Sequence, residues 1–180
     1  MSNDLLIEEF FKSPLSYQSI KKLIDEGARC HDFADILLPK AILDPDRIAI
    51  VKLLFDQGVD AKNFTDIDVA IAIENGGFEL FQLLIDHGLD PTKCGDFTLF
   101  AAIDRDLFQI VKFLFDSSLN SKTYDPTVLT AAIRRNRLDT IKFLLNHGVY
   151  PNFPYGEPLL AAHRTENNDI VNLLLSHKQS

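Results

Sequence analysis

The stretch "LLFDQGVD" (residues 53–60) closes an apolar run on a glycine and a short polar turn. The same phrase returns as "LLIDHGLD" (83–90), "FLFDSSLN" (113–120), "FLLNHGVY" (143–150) and "LLLSHKQS" (173–180), and it is anticipated by "KLIDEGAR" (22–29). The glycine slot falls at Gly27, Gly58, Gly88, Ser118, Gly148 and Lys178, at intervals of 31, 30, 30, 30 and 30 residues. Glycine at this place suits the left-handed residue that ends a helix. Ser118 and Lys178 break that rule, so those two ends are expected to be looser. In "DLFQIVKFLFDSS" (106–118), Ile110, Val111, Leu114 and Phe115 form the stripe of an amphipathic helix leading into the slot.

A second phrase lies upstream of the first: "VAIAI" (69–73), "LFAAI" (99–103), "LTAAI" (129–133), "LLAAH" (159–163) and, less cleanly, "LPKAI" (38–42). Its alanines make a narrow helix face that lets a second helix come close. Each unit therefore reads as short helix, tight loop, second helix, turn. One such pair cannot bury its own apolar face, whereas stacked neighbours can. The expected fold is all-α, a helical solenoid of stacked helix-turn-helix repeats. The single interval of 31 is accounted for by one extra residue in "ILDPDRIAIV" (42–51) compared with "IENGGFELF" (73–81).

These residues resemble the ankyrin-repeat family. "EPLLAAHRTENNDIVNLLLSHK" keeps Pro158, Leu159, Ala161, Ala162, Ile170, Val171 and Leu173 to Leu175 of the family's pattern. "TVLTAAIRRNRLDTIKFLLNHG" keeps Thr127, Leu129, Ala131, Ala132, Ile141 and Gly148. The resemblance covers roughly residues 33–178. It implies about five repeats (33–62, 63–92, 93–122, 123–152 and 153–180) after a degenerate capping repeat at 1–32, all in one continuous domain. The period is short of the family's ~33 residues. The family's histidine is replaced by Ala70, Phe100, Thr130 and Leu160, so the projecting turns are expected to be stubby.

Bulk composition narrows the function. The chain has 180 residues, 46% hydrophobic and 24% charged, as in a soluble globular protein. No apolar run approaches the ~18 residues that span a bilayer. The acidic start "MSNDLLIEEF" lacks the basic opening of a secretory signal, so a cytoplasmic location is expected, whether resident or after delivery into a host cell. Two cysteines, Cys30 and Cys94, without a CxxC suit a reducing compartment. Residues 1–90 carry 17 acidic and 8 basic side chains, a net −9, and residues 91–180 carry 9 and 10, a net +1. An acidic first half disfavours a nucleic-acid track.

No GxxxxGK[ST], HExxH or GxSxG is present. "NGG" (75–77) reads as the turn between two helices. His31-Asp32 lacks the further ligands of a metal dyad. His87, His147 and His177 share one slot, where a donor suits the unpaired carbonyls of a helix end better than a metal row. Cys94 is expected to be exposed on a projecting turn, with no neighbour in sequence to activate it. "NFT" (63–65) reads as a turn. No catalytic residue, metal or cofactor is expected.

The resemblance implies a non-catalytic scaffold that binds another protein through its concave face and turns. The positions that should face that groove are Glu74-Asn75, Asp104-Arg105, Arg134-Arg135 and Arg164-Thr165, which pass from acidic to basic along the stack. Arg105, Arg134, Arg135 and Arg164, beside Asp104 and Glu74, are the candidate partner-binding residues, with Tyr124, Phe153 and Tyr155 as apolar anchors in neighbouring turns. They point to an acidic protein segment as partner and to a chain that is monomeric when free. Alternatively, the arginines pair with Asp104, Asp106 and Asp139 and only keep the surface soluble. The plain form of the function is a cytosolic adaptor; a variant is a host-directed effector of an intracellular bacterium or virus. The competing classes are a structural homo-oligomerisation unit, and an enzyme or metal protein with a site built across repeats.

Overall fold

The computed structural model describes residues 2–12, 14–117, 127–149 and 157–177. The candidate residues Tyr124, Phe153 and Tyr155 and the two exceptional slots Ser118 and Lys178 lie outside them. The chain forms two compact units, Met1–Asp90 and Pro91–Ser180. The first holds α1 (Ser2–Phe10), α2 (Tyr17–Asp25), α3 (Ala34–Ile42), α4 (Arg47–Asp56) and α5 (Asp66–Asp86). The second holds α6 (Asp96–Asp104), α7 (Phe108–Ser117), α8 (Thr127–Arg134), α9 (Leu138–Asn146), α10 (Glu157–Arg164) and α11 (Asn168–His177). Among the described residues there is no strand, and no helix is long and apolar enough to cross a membrane. The fold is an all-α helical repeat.

The glycine slot ends helices as its chemistry requires. Gly27, Gly58, Gly88 and Gly148 have φ of 94°, 79°, 95° and 81°. The amide after each glycine donates back five residues: Ala28 to Leu23 O at 3.0 Å, Val59 to Leu54 O at 3.2 Å, Leu89 to Leu84 O at 2.9 Å and Val149 to Leu144 O at 3.0 Å. This is the Schellman arrangement, which satisfies carbonyls that the helix leaves open. Ala28, Val59, Leu89 and Val149 are all buried, so the apolar contact that accompanies the motif is present too.

The first helix of a pair ends in the same way without glycine. Asp106, Asn136 and Glu166, again 30 residues apart, stand at φ of 60°, 57° and 54°. Leu107 donates to Ala102 O at 2.8 Å and Arg137 to Ala132 O at 2.9 Å. Asp and Asn tolerate the left-handed region better than most residues. In the "NGG" stretch the corresponding break lies inside α5, at Gly77 (φ 60°, ψ −146°). A Cβ on Gly76 would stand 2.5 Å from Leu80 Cβ, so both glycines are needed, one for its angles and one for its size.

In the first unit α1, α3 and α5 pack side by side, and α2 and α4 form the layer behind, with α4 against α5. In the second unit α6 packs on α8 and α8 on α10, with α7, α9 and α11 in the layer behind. The repeat register builds the core. Ala41, Ala72, Ala102, Ala132 and Ala162 are all fully buried, and so are the Leu/Val positions Leu38, Val69, Leu99 and Leu129. In the second helices, Ile50, Leu80, Ile110 and Ile170 are fully buried, with Thr140 at 4% in the same register. In the first-helix register His163 is exposed where Ile73, Ile103 and Ile133 are buried.

One buried carboxylate ties the first two pairs together. Asp44, 5% exposed, accepts from the Leu15 amide at 2.6 Å and from the Asp46 amide at 2.9 Å.

Two substitutions test this account. Ala132→Leu adds three carbons to a fully buried slot between helices and is expected to cost about 1–3 kcal/mol, read as a lower melting temperature. An unchanged transition would mean that the slot is not closely packed. Gly77→Ala forces a Cβ into a nearly glycine-only conformation and should lower stability by about 1–3 kcal/mol in a urea titration.

Candidate functional site

In the second unit the first helices present a recess of about 380 Å³ between α6, α8 and α10, lined by Phe100, Asp104, Thr127, Thr130, Ala131, Arg134, Arg135 and Glu157. Its floor follows from the repeat. Ala131 precedes the fully buried Ala132, so it stands on the edge of the helix–helix seam and leaves room above it. Phe100 and Thr130 occupy the position at which the family pattern has histidine, and their side chains become wall and floor. The buried Thr130 leaves the recess open where a larger residue would fill it.

The charged rim is organised in pairs that cross from one repeat to the next. Arg135 grips Asp104 with a fork: Nε lies 2.8 Å from Oδ1, and Nη2 donates to Oδ2 at 2.9 Å. Arg134 Nη2 donates to Glu157 Oε1 at 2.9 Å. Arg137, half-buried, sets Nη1 2.9 Å from Asp106 Oδ2 and donates through Nη2 to the Asp104 carbonyl at 3.4 Å. Its Nε is buried without a hydrogen-bond partner, so the guanidinium is held in place at a cost in desolvation. A two-point fork holds a guanidinium in one plane, which a lysine could not do.

Arg134 and Arg135 thus reach the recess, as does Asp104, but the two arginines already hold carboxylates of this chain. Arg105 follows α6 as its C-cap and Arg164 ends α10; both are exposed, and neither makes an ion pair among the described residues. Glu74 lies in the first unit, exposed, on the turn of α5 before the Gly77 break, and is described there alone. Of the three carboxylates considered as surface partners, Asp104 is held by Arg135, whereas Asp106 is held by Arg137, which was not among the candidate arginines. Glu157 and Arg137 escaped the sequence reading. For Arg137 the only signal was the spacing, since Asp106 stands 31 residues before it, one repeat plus one residue; Glu157, 23 residues after Arg134, left none.

The shared histidine slot is occupied as a helix-end donor requires. Nδ1 of His87 lies 2.8 Å from Leu83 O, that of His147 2.8 Å from Phe143 O and that of His177 3.0 Å from Leu173 O. His87 also stacks on Phe55, with centroids 4.0 Å apart. His147 stands beside Phe143 at 3.9 Å and meets Phe115 edge-on at 5.6 Å. The His147, Phe143 and Phe115 rings belong to the layer behind the recess, and the His87 and Phe55 rings to the first unit. Cys94 is fully buried, against the expectation of an exposed turn: it follows the 3-10 turn Pro91–Lys93, which folds it inward with its amide on Pro91 O at 3.1 Å. Cys30 is buried too, and burial pushes its thiol up to about 11, away from thiolate chemistry near neutral pH.

The first unit has a recess of its own, about 270 Å³, between the start of α3 and the 60–63 loop, with Asp32, Asp35, Asp60, Lys62 and Asn63 around it. Its charges are also paired: Lys62 lies 2.8 Å from Asp60, and that hydrogen bond holds the Asp60 carboxyl below its usual range and the Lys62 ammonium above its own. Arg29 lies 3.1 Å from Asp32, and Asn63 donates to Asp35 at 3.2 Å.

A family model described as ankyrin repeats (3 copies) matches residues 69–154 and 99–180, together more than half of the 180 residues. No curated protein and no solved structure matches the chain.

The rim pairs are exposed, so they contribute little to folding. The double substitution Arg134→Ala with Arg135→Ala should change stability by no more than about 1–2 kcal/mol, two exposed pairs at ~0–1 kcal/mol each, in chemical denaturation. A larger loss would make the rim a structural clamp.

Proposed function

Because the chain belongs to the ankyrin-repeat family, we propose that it is a non-catalytic binding module that holds an acidic segment of another protein on the face made by α6, α8 and α10. Ankyrin repeats generally mediate protein–protein interaction, and the family typically serves as a non-catalytic scaffold. The observation that carries the choice of face is the recess of about 380 Å³, with Phe100 and Ala131 in its lining and guanidinium groups on its rim. Burying an apolar side chain there supplies affinity, and the charges around it set orientation and the rate of encounter. The charge balance favours an acidic partner. Among the described residues, three guanidinium–carboxylate pairs cancel, and Arg105 and Arg164 remain. In this reading the free chain is a monomer in a reducing compartment.

The test starts from peptides selected against the protein from a displayed library. The expected consensus is acidic with at least one large apolar residue, and binding should weaken as salt rises. Ala131→Tyr, which fills the recess, should reduce affinity by roughly tenfold or more, equivalent to about 1.4 kcal/mol. Selected peptides that lack acidic residues, or that bind the filled variant equally well, would move the site to another face.

A further inference from the structure

Resting on that reading, we propose that the α6–α8–α10 face selects its partner by spacing: an extended segment whose two carboxylate side chains stand about six residues apart, with apolar side chains two and four positions after the first. Among the described residues, the uncompensated charge sits at the two ends of the face, not in its middle. Arg105 follows α6, Arg164 ends α10, and α8 packs between those helices. On α8 itself, Arg134 and Arg135 are held by Glu157 and Asp104. Arg134 and Arg164 occupy equivalent positions one repeat apart, as do Arg105 and Arg135, so all four lie at the same end of their helices. Between the two free arginines lies the recess with Phe100 and Ala131.

The distance follows from helix packing. Neighbouring axes lie about 8–10 Å apart, so two steps from α6 to α10 cover about 16–20 Å. An extended chain advances about 3.3 Å per residue, so that span is bridged in about five to six residues. Alternation decides between the two. Side chains of an extended segment point to the same side at even intervals only, so both carboxylates reach the face at a spacing of six and not at five. The same parity turns the second and fourth intervening residues toward the recess. The paired rim adds selectivity. On α8 the guanidinium groups of Arg134 and Arg135 are already engaged by Glu157 and Asp104, so a carboxylate over the middle of the segment gains less than one at either end.

The test uses labelled synthetic peptides and fluorescence anisotropy at low salt. One peptide has glutamates six apart with leucines two and four positions after the first, in a serine background. A second has the same composition with the glutamates three apart. The six-apart peptide is expected to bind roughly tenfold more tightly or better, equivalent to about 1.4 kcal/mol. Arg105→Ala and Arg164→Ala should each bring the two peptides to similar affinity, while Lys142→Ala, at an exposed cation on α9 in the layer behind, leaves the preference for the six-apart peptide in place. Circular dichroism of each variant checks that it is folded. If both peptides bind alike and Ala131→Tyr still blocks them, the spacing rule is overturned and the face stands. If neither peptide binds, or the filled variant binds both as well as wild type, the rule and the face fall together. An oligothymidylate that binds as tightly as the six-apart peptide would assign the arginines to phosphates and overturn the proposal.

Discussion

The whole structure depends on how closely helices can approach at one alanine per repeat. Ala41 and Ala72 in the first unit, and Ala102, Ala132 and Ala162 in the second, are all fully buried. An alanine adds no side chain beyond Cβ, so the neighbouring helix comes in against the backbone and the branched residues on either side interlock. That approach would fail if the chain between helices were long or irregular. It is kept short by left-handed residues at fixed places: glycines after the second helices, and Asp106, Asn136 and Glu166 after the first. Backbone conformation and side-chain volume therefore act together. The turns set the register, and the register puts the small residue where the helices meet.

Most of this was legible in the sequence, because it is written in residues whose physical requirement is local. A glycine at φ near +90° and an alanine in a seam are each needed where they stand, whatever the partner helix is made of. The helices, their termination and the burial of Ala102 and Ala132 follow from such needs. What the sequence could not show is which side chains meet across repeats. Nothing local in "AAIRRNRL" says that Arg135 turns to Asp104 and Arg134 to Glu157. Those contacts depend on the offset between neighbouring helices and on rotamers that a linear pattern does not contain. Cys94 was misjudged for a related reason: its place in a projecting turn suggested exposure, yet the 3-10 turn at Pro91–Lys93 folds the thiol inward.

The pairing changes what the arginines mean. As a bare ladder they would be four positive charges in a row. In the structure the two on α8 are neutralised by carboxylates of the chain itself, and Arg137 is engaged by Asp106 and a carbonyl. Holding these groups in place removes rotamer freedom before any partner arrives, which lowers the entropy lost on binding. It also spreads positive and negative charge in alternation around the recess. A surface of that kind discriminates by position, because a carboxylate is attracted at one point of it and repelled a few ångströms away.

Such a surface can change without disturbing the stack beneath it. The backbone groups at the helix ends are satisfied by their own turns, and the histidine slot bonds to carbonyls of its own helix, four residues back. The seam needs Ala132, but the neighbouring Ala131 is only half-buried, and Arg134 and Arg135 are exposed. Side chains at these rim positions contribute contacts to a ligand and little to folding. The repeat thereby separates two tasks that a single-core enzyme must combine: one register of residues fixes the helices, and the register beside it is free to match a partner. The half-buried Phe100 at one wall and the buried Thr130 below show how that freedom is used, since one position of the repeat carries an aromatic ring in one copy and a small hydroxyl in the next, and both line the recess.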